Sequence, residues 1–234
     1  VVDCANGAAY RTAPDALYEL GAEVVPLAIM PDGLNINEGC GAVHPQVMAA
    51  AVVAHGADAG ICLDGDADRL IMADENGTII NGDQILGCLA LAMREKGTLS
   101  TNTVVGTVMN NRGLETMLGK ADIDLYRVAV GDRYILEKMR NDELNLGGEP
   151  SGHILMTDFA RSGDGLLTAL QMLTLLKGST KKASTLFNCF KPNPQRLENL
   201  TDIDPIILQR EPLRAAIREI ENGLGKRGRV LVRP

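Results

Sequence analysis

The 234-residue sequence has no apolar run of roughly 18 residues, the length that a membrane-spanning helix needs. It also lacks a charged N-terminal segment followed by an apolar one, the pattern of a secretory signal. Basic residues are in deficit, with 23 Lys and Arg against 30 Asp and Glu, so the net charge is -7. These absences predict a cytoplasmic protein with neither a membrane nor a nucleic acid as its partner.

The cysteines show no sign of a disulfide framework, because the five of them form an odd set without a CxxC pair. Three lie in apolar segments, so we expect reduced and mostly buried thiols. Hydrophobic residues make up 45% of the chain and charged residues 23%, which is typical of a globular protein with room for two domains or more. The cysteines are Cys4, Cys40, Cys62, Cys88 and Cys189.

The first part of the chain alternates between strand-like and helix-like segments. Strand-like runs at 1–4, 23–27 and 59–63 are separated by helix-like runs at 14–20 and 45–55. This alternation is typical of α/β proteins with a mostly parallel sheet. A similar opening, a strand and then an Asn/Gly turn, recurs after about one hundred residues, which indicates duplicated α/β domains.

The domain organisation follows from these patterns. We predict one α/β domain at 1–98 and a second at 99–191. A proline-containing linker then leads to an amphipathic helix at 211–222 and a strand at 229–232. Because so short a segment is not a complete domain, 192–234 is interpreted as the beginning of a third domain.

The densest cluster of charge is an acidic turn. Asp64, Asp66 and Asp68 stand at alternate positions between two apolar segments, and Arg69 follows them directly. We expect a tight turn between two strands, at the carboxyl end of a strand, where ligands bind in open α/β sheets. Three neighbouring carboxylates repel one another unless a cation neutralises them, and oxygen donors at this density suit Mg²⁺ or Ca²⁺. The arginine indicates an anionic partner such as a phosphate.

A calcium loop is the alternative interpretation of this turn. Asp64, Asp66 and Asp68 match its first, third and fifth positions, and Glu75 matches its twelfth. However, the loop needs glycine at the sixth position, where this chain has Arg69, and it needs flanking helices rather than strands. Mg²⁺ is therefore the preferred ion.

Two other segments carry polar residues that could bind a ligand. Glu149 and Ser151, two residues apart in a glycine-flanked turn, suit adjacent sugar hydroxyls. The alternative is that Glu149 caps the turn and His153 is a structural histidine in a strand. Arg133 follows Gly131 at a predicted helix start that could bind an anion, although Asp132 there is also an ordinary helix-start residue.

Taken together, the segments 64–69, 130–134, 148–153 and 163–168 resemble the motifs of the α-D-phosphohexomutases, in this order and at plausible spacing. The resemblance spans nearly the whole chain. It implies two consecutive α/β domains with mixed, mostly parallel sheets, plus the start of a third α+β domain.

The resemblance also implies roles for individual residues. Asp64, Asp66 and Asp68 would hold Mg²⁺, and Arg69 would be a catalytic residue at the phosphoryl site. The substrate, a phosphorylated hexose or hexosamine, would be bound by Glu149, Ser151, His153 and Arg133.

Segments 35–37 and 39–45 are most similar to those of the bacterial branch that acts on glucosamine phosphates in amino-sugar synthesis. The implied reaction interconverts glucosamine 6-phosphate and glucosamine 1-phosphate through a phosphoserine and a bisphosphate. The alternatives are glucose or mannose phosphates as substrates, or a non-catalytic fragment that binds Mg²⁺ and a sugar phosphate. In the family the phosphoserine loop precedes the segment that resembles Val1 onward, so we expect these 234 residues alone to be inactive. Separately, we expect the intact protein to form a homodimer.

Overall fold

The computed structural model describes residues 1–196, 198, 201, 204–225 and 228–232. The chain divides into two compact units, Val1–Pro192 and Asn193–Pro234. No helix in the described part of the chain is both long and apolar enough to cross a membrane.

The first unit opens with a sheet that contains the acidic turn. Its strand order is β2-β1-β3-β4-β5, with β1 parallel to β2 and β3 and with β4 antiparallel to β3 and β5. Its helices connect the parallel strands. The elements are β1 (Val2–Asp3), α1 (Thr12–Glu19), β2 (Pro26–Leu27), α2 (Pro45–His55), β3 (Ala59–Leu63), β4 (Leu70–Asp74) and β5 (Ile79–Ile80).

A second sheet follows in the same unit. Its order is β7-β6-β8-β9, in which β6 pairs in parallel with β7 and β8 and only the β8–β9 pair is antiparallel. Two mixed, mostly parallel sheets confirm the predicted fold class, whereas the domain bounds at 98 and 191 stay predictions. The elements are α3 (Gly82–Glu95), β6 (Thr103–Thr107), α4 (Arg112–Lys120), β7 (Asp124–Val128), α5 (Asp132–Asn141), β8 (Leu146–Gly148), β9 (Ile154–Met156), α6 (Gly165–Lys177) and α7 (Ala183–Leu186).

Local sequence explains where several helices begin and end. Asn81 and Gln84 form a reciprocal capping box at the start of α3, which satisfies backbone N–H groups that the helix leaves free. Pro45 occupies the first turn of α2, where its missing N–H costs nothing, and Gly56 ends that helix in the left-handed conformation. Because these capping residues lie within a few positions of each helix end, the sequence alone predicted where these helices begin and end.

A single buried cluster of side chains joins the two sheets. It includes Leu63 and Leu70 beside the acidic turn, Leu86 of α3 and Leu114 of α4, all fully buried. Residues 183–191, which we call the strap, pack against the same cluster through Phe187, whose exposed fraction is 0%. The strap therefore belongs to the core that supports both sheets.

The second unit contains a short 3-10 segment, Pro205–Gln209, and a helix, α8 (Glu211–Leu224). The helix confirms the prediction at 211–222. The strand predicted at 229–232 is wrong, because residues 228–232 have no regular secondary structure. A strand needs a partner for its backbone hydrogen bonds, and the described part of Asn193–Pro234 contains no strand that could pair with this segment.

Replacing Phe187 with alanine is expected to lower the free energy of unfolding by ~3–5 kcal/mol, because it removes a fully buried ring from the shared core. Urea unfolding followed by circular dichroism measures the change. Phe159→Ala is the matched control, since that ring is 59% exposed and its loss should change stability little. Equal effects of the two substitutions would contradict the assignment of the strap to the core.

Candidate functional site

The acidic turn connects two paired strands, as predicted. β3 and β4 pair in register up to Leu63 and Leu70, and the chain between them reverses with Ala67 in the left-handed conformation, at φ 62°. The reversal brings one carboxylate oxygen from each of Asp64, Asp66 and Asp68 within 4.8 Å of the others. The alternate spacing in sequence therefore becomes a cluster of three carboxylates in space.

The electrostatics of the cluster fit a divalent cation. Burial raises the pKa of Asp64; a hydrogen bond from the Arg69 N–H to Asp64 Oδ1, at 3.1 Å, opposes that shift, and the charges of Asp68 and Asp66 add to it. Within the described residues, the buried Oδ1 atom of Asp68 has no hydrogen-bond partner. Crowded carboxylates with an unsatisfied oxygen have the hard donors that Mg²⁺ or Ca²⁺ requires.

Arg69 places a positive charge beside this carboxylate cluster. Its Nε atom lies 3.7 Å from Asp64 Oδ2 and 3.7 Å from Asp68 Oδ1. The side chain is nevertheless 47% exposed, so solvent and ligands can reach it. Arg69 can thus balance the carboxylates and bind an anion that approaches the turn.

The loop at 148–153 contacts the acidic turn through its backbone. Leu70 donates its N–H to the Gly152 carbonyl at 3.0 Å, beside an isolated bridge between Arg69 and His153. Gly152 has a φ of 92°, and a Cβ atom there would lie 2.1 Å from the Leu70 carbonyl oxygen. Only glycine permits this approach, which joins a loop of the second sheet to the turn of the first.

His153 forms the side-chain part of this junction. Its Nδ1 atom lies 3.1 Å from Asp68 Oδ2, and the side chain is only 8% exposed. Its Nε2 atom is buried and has no hydrogen-bond partner among the residues described. A Cβ atom on Gly163 would come within 2.4 Å of the ring, so the imidazole is enclosed next to a carboxylate of the cluster.

The other predicted ligand-binding residues lie along the same loop and at the helix facing it. Glu149 Oε1 accepts the N–H of Gly131 at 3.0 Å, and Glu149 Oε2 accepts the Ser151 hydroxyl at 3.3 Å. Gly131 is the residue that precedes α5, on whose first turn Arg133 is exposed. The Glu149 carboxylate is therefore held in place beside the start of α5, and as an acceptor it is suited to binding hydroxyl groups.

Sequence reasoning missed Asp3, which stabilises a backbone segment that packs against the acidic turn. Its fully buried carboxylate accepts the N–H groups of Ala5 at 2.9 Å and Gly41 at 3.0 Å. The segment it organises contacts the acidic turn, because Ala8 donates to the Gly65 carbonyl at 2.7 Å. An aspartate at the end of the first predicted strand, followed by small residues, was the available signal.

The calcium-loop interpretation is wrong. Strands flank the acidic turn where that loop needs helices. Glu75 does not join the carboxylate cluster; it accepts hydrogen bonds from the backbone N–H and the hydroxyl of Ser184 in the strap. The match at the twelfth position is a coincidence of spacing.

Comparison with known proteins identifies the two sheets as family domains. The family model for Phosphoglucomutase/phosphomannomutase, alpha/beta/alpha domain II, matches residues 1–77, and the model for alpha/beta/alpha domain III matches residues 81–192. The second match includes α3, which the sequence-based bound at 98 assigned to the first domain.

Individual relatives agree with this assignment. The chain is 52% identical over 234 residues to phosphoglucosamine mutase of Roseobacter denitrificans, covering all of this chain and 52% of that protein. A crystal structure of a phosphoglucomutase/phosphomannomutase family protein from Burkholderia thailandensis matches with a TM-score of 0.73 and 28% identity, over 82% of this chain and 42% of that one. The chain thus spans about half the length of the curated relatives it matches.

A more distant structure shares the fold. Aspergillus fumigatus N-acetylphosphoglucosamine mutase, solved in complex with GlcNAc-6P and magnesium, matches with a TM-score of 0.63 and 19% identity, over 83% of this chain and 46% of that one. The two family models together cover most of the chain, and the sequence motifs fall on the geometry described above. The chain therefore belongs to the phosphoglucomutase/phosphomannomutase family of α-D-phosphohexomutases.

Proposed function

We propose that the intact protein interconverts glucosamine 6-phosphate and glucosamine 1-phosphate, through a phosphoserine and a bisphosphate intermediate. The observation that carries the proposal is the junction of the carboxylate cluster with the Glu149 loop, which sets a candidate metal site beside candidate sugar-binding groups. The choice of an amino sugar is supported by 52% identity to a relative named phosphoglucosamine mutase.

The proposed metal ion is Mg²⁺, held by Asp64, Asp66 and Asp68. The crowding of their oxygens and the unsatisfied Oδ1 atom of Asp68 support this choice. When bound, the ion would supply charge neutralisation and polarise a phosphoryl oxygen. The fold neighbour from Aspergillus fumigatus was solved with magnesium.

Arg69 is proposed to bind the phosphoryl group. Its guanidinium is within 3.7 Å of two of the carboxylates and is about half exposed, so it can contact an anion at the same site. Phosphoryl transfer depends mainly on positioning and on stabilising charge spread over the equatorial oxygens. A guanidinium next to the candidate metal site can serve both requirements.

Glu149 and Ser151 are proposed to bind hydroxyls of the sugar. The carboxylate is oriented in advance by Gly131 and Ser151, at 3.0 and 3.3 Å, which reduces the entropy lost on binding. Arg133, exposed in the first turn of α5, adds positive charge to a helix N-terminus that already favours anions. We therefore assign it to the substrate phosphate.

His153 is proposed to act through Asp68 rather than on the substrate. Because its Nδ1 atom contacts Asp68 Oδ2 and its ring is enclosed, it can donate a hydrogen bond that holds this carboxylate in the orientation for metal binding. Such partners of a metal ligand fix its geometry and affect metal affinity. His153 is thus a positioning residue.

Replacing Asp66 with alanine is expected to weaken Mg²⁺ binding more than roughly tenfold. Removing a residue that only orients a metal ligand already lowers metal affinity by about that factor, and losing a ligand itself should lower it further. Isothermal titration calorimetry on the 234-residue chain measures the affinity. The control is Asp124→Ala, an exposed aspartate on β7 outside the cluster. An unchanged affinity in Asp66→Ala would exclude the acidic turn as the metal site.

Replacing His153 with alanine is expected to weaken Mg²⁺ binding roughly tenfold through misorientation of Asp68. His153→Asn keeps a side-chain N–H donor close to the position of Nδ1 and should recover part of the loss. The control is His55→Ala, at the exposed end of α2. If His153→Ala kept full Mg²⁺ affinity in a folded chain, the positioning role would be refuted.

The substrate is tested with the complete protein, because the chain spans about half of its relatives. Mutase assays with glucosamine, glucose and mannose phosphates should give the highest kcat/KM for glucosamine phosphate. A far better rate with glucose or mannose phosphate would contradict the amino-sugar assignment while leaving the family unchanged. Inactivity with all three would favour a non-catalytic sugar-phosphate binding role.

A further inference from the structure

Two cysteines outside the candidate site lie where the strap packs against α3. Cys88 lies on α3, and Cys189 lies near the end of the strap. Cys88 Sγ is 3.4 Å from the Phe187 carbonyl oxygen, and Cys189 Sγ is 3.5 Å from that of Gln84. Both sulfur atoms therefore occupy the same gap between helix and strap.

Contacts on both sides of this gap keep the strap close to α3. A Cβ atom on Gly87 would lie 3.0 Å from Cys189 Sγ, so glycine at this position lets the strap approach α3 closely. Phe187 anchors the strap in the core, and Gln84 of α3 donates to the Asn188 side chain at 2.9 Å. These contacts on either side keep the strap, and with it Cys189, close to the helix that carries Cys88.

The two members of the pair differ in exposure and acidity. Cys189 is partly exposed, whereas Cys88 is buried. The neighbouring Cys88 thiol lowers the pKa of Cys189, and the same interaction, together with burial, raises the pKa of Cys88. A less buried, more acidic thiol beside a second thiol is the arrangement found in cysteines that respond to oxidants.

The other cysteines have the opposite character. Burial, with the charge of Asp3, raises the pKa of Cys4 to about 12 and also raises the pKa values of Cys40 and Cys62. A thiolate reacts with oxidants far faster than a thiol. Reactivity should therefore concentrate at Cys189.

We propose that Cys189 and Cys88 form a reversible disulfide when the protein meets a peroxide. The Cys189 thiolate attacks one oxygen of hydrogen peroxide, the O–O bond breaks, and a sulfenic acid and hydroxide result. The Cys88 sulfur then attacks the sulfenic sulfur, an S–S bond forms, and the sulfenic oxygen leaves as water with the proton of the Cys88 thiol. Overall, two thiols are oxidised to one disulfide and one hydrogen peroxide is reduced to two waters. The hydroxide becomes the second water when it takes up the proton that the Cys189 thiol released.

The bond would attach the strap covalently to α3. Because a cross-link between α3 and the strap closes a long loop of the chain, it restricts the unfolded chain and should make the oxidised protein melt at a higher temperature. The proposal rests on the cysteine pair alone and is independent of the proposed mutase activity.

The test treats the folded 234-residue chain with limiting hydrogen peroxide and then blocks the remaining thiols with an alkylating reagent. Intact mass spectrometry should show a loss of two hydrogen atoms and three alkylated cysteines out of five. Peptide mapping should identify one linkage, between Cys88 and Cys189, and dithiothreitol should reverse it. A linkage through other cysteines, or none, would overturn the proposal.

Single substitutions assign the steps. In Cys88→Ser, Cys189 should accumulate as a sulfenic acid that dimedone traps, and in Cys189→Ser no disulfide should form. Cys40→Ser, which leaves the pair intact, should react like the unaltered chain. Direct oxidation of Cys189 to a sulfinic acid in the unaltered chain, without the disulfide, would equally refute the proposal, and this readout does not depend on how any variant folds.

Discussion

Repulsion among Asp64, Asp66 and Asp68 is the constraint on which the candidate site depends. The β3–β4 turn brings their oxygens within 4.8 Å of one another, and burial adds to the cost of charging Asp64. Arg69 and His153 offset part of this cost through contacts with the carboxylates. In the described part of the chain an oxygen of Asp68 still lacks a hydrogen bond, and a divalent cation would satisfy it.

The same junction explains why the site needs both sheets. The acidic turn belongs to the first sheet, whereas its contacts to Gly152 and His153 come from the loop between β8 and β9 of the second. A further backbone bond, from Gly165 at the start of α6 to the Ala67 carbonyl at 2.8 Å, closes the turn on another side. Glycines at 152 and 165 permit these approaches, since a Cβ atom at either would meet backbone within 2.4 Å.

Glu75 shows how a correct local pattern can suggest the wrong contact. Its spacing from the acidic turn matches a calcium loop, but the hairpin carries its side chain to the strap, where Ser184 binds it. The strap depends on several such distant contacts, including those of Asn188 with Gln84 and Asp74. The same packing brings Cys189 close to the part of α3 that carries Cys88, which no spacing in the sequence indicates.

The sequence by itself determined the α/β class, the helix and strand positions near clear caps and turns, and the acidic turn with its preference for a hard cation. These features depend on residues close together in the chain, such as the capping box of Asn81 and Gln84 or the alternating aspartates. Only the tertiary structure decided that His153 contacts Asp68, that Asp3 supports the turn and that Glu75 binds the strap. The physical reason is that each of these contacts joins segments that lie far apart in the chain and are brought together by packing of the shared core. The spacing of neighbouring residues does not indicate which distant segments will pack together.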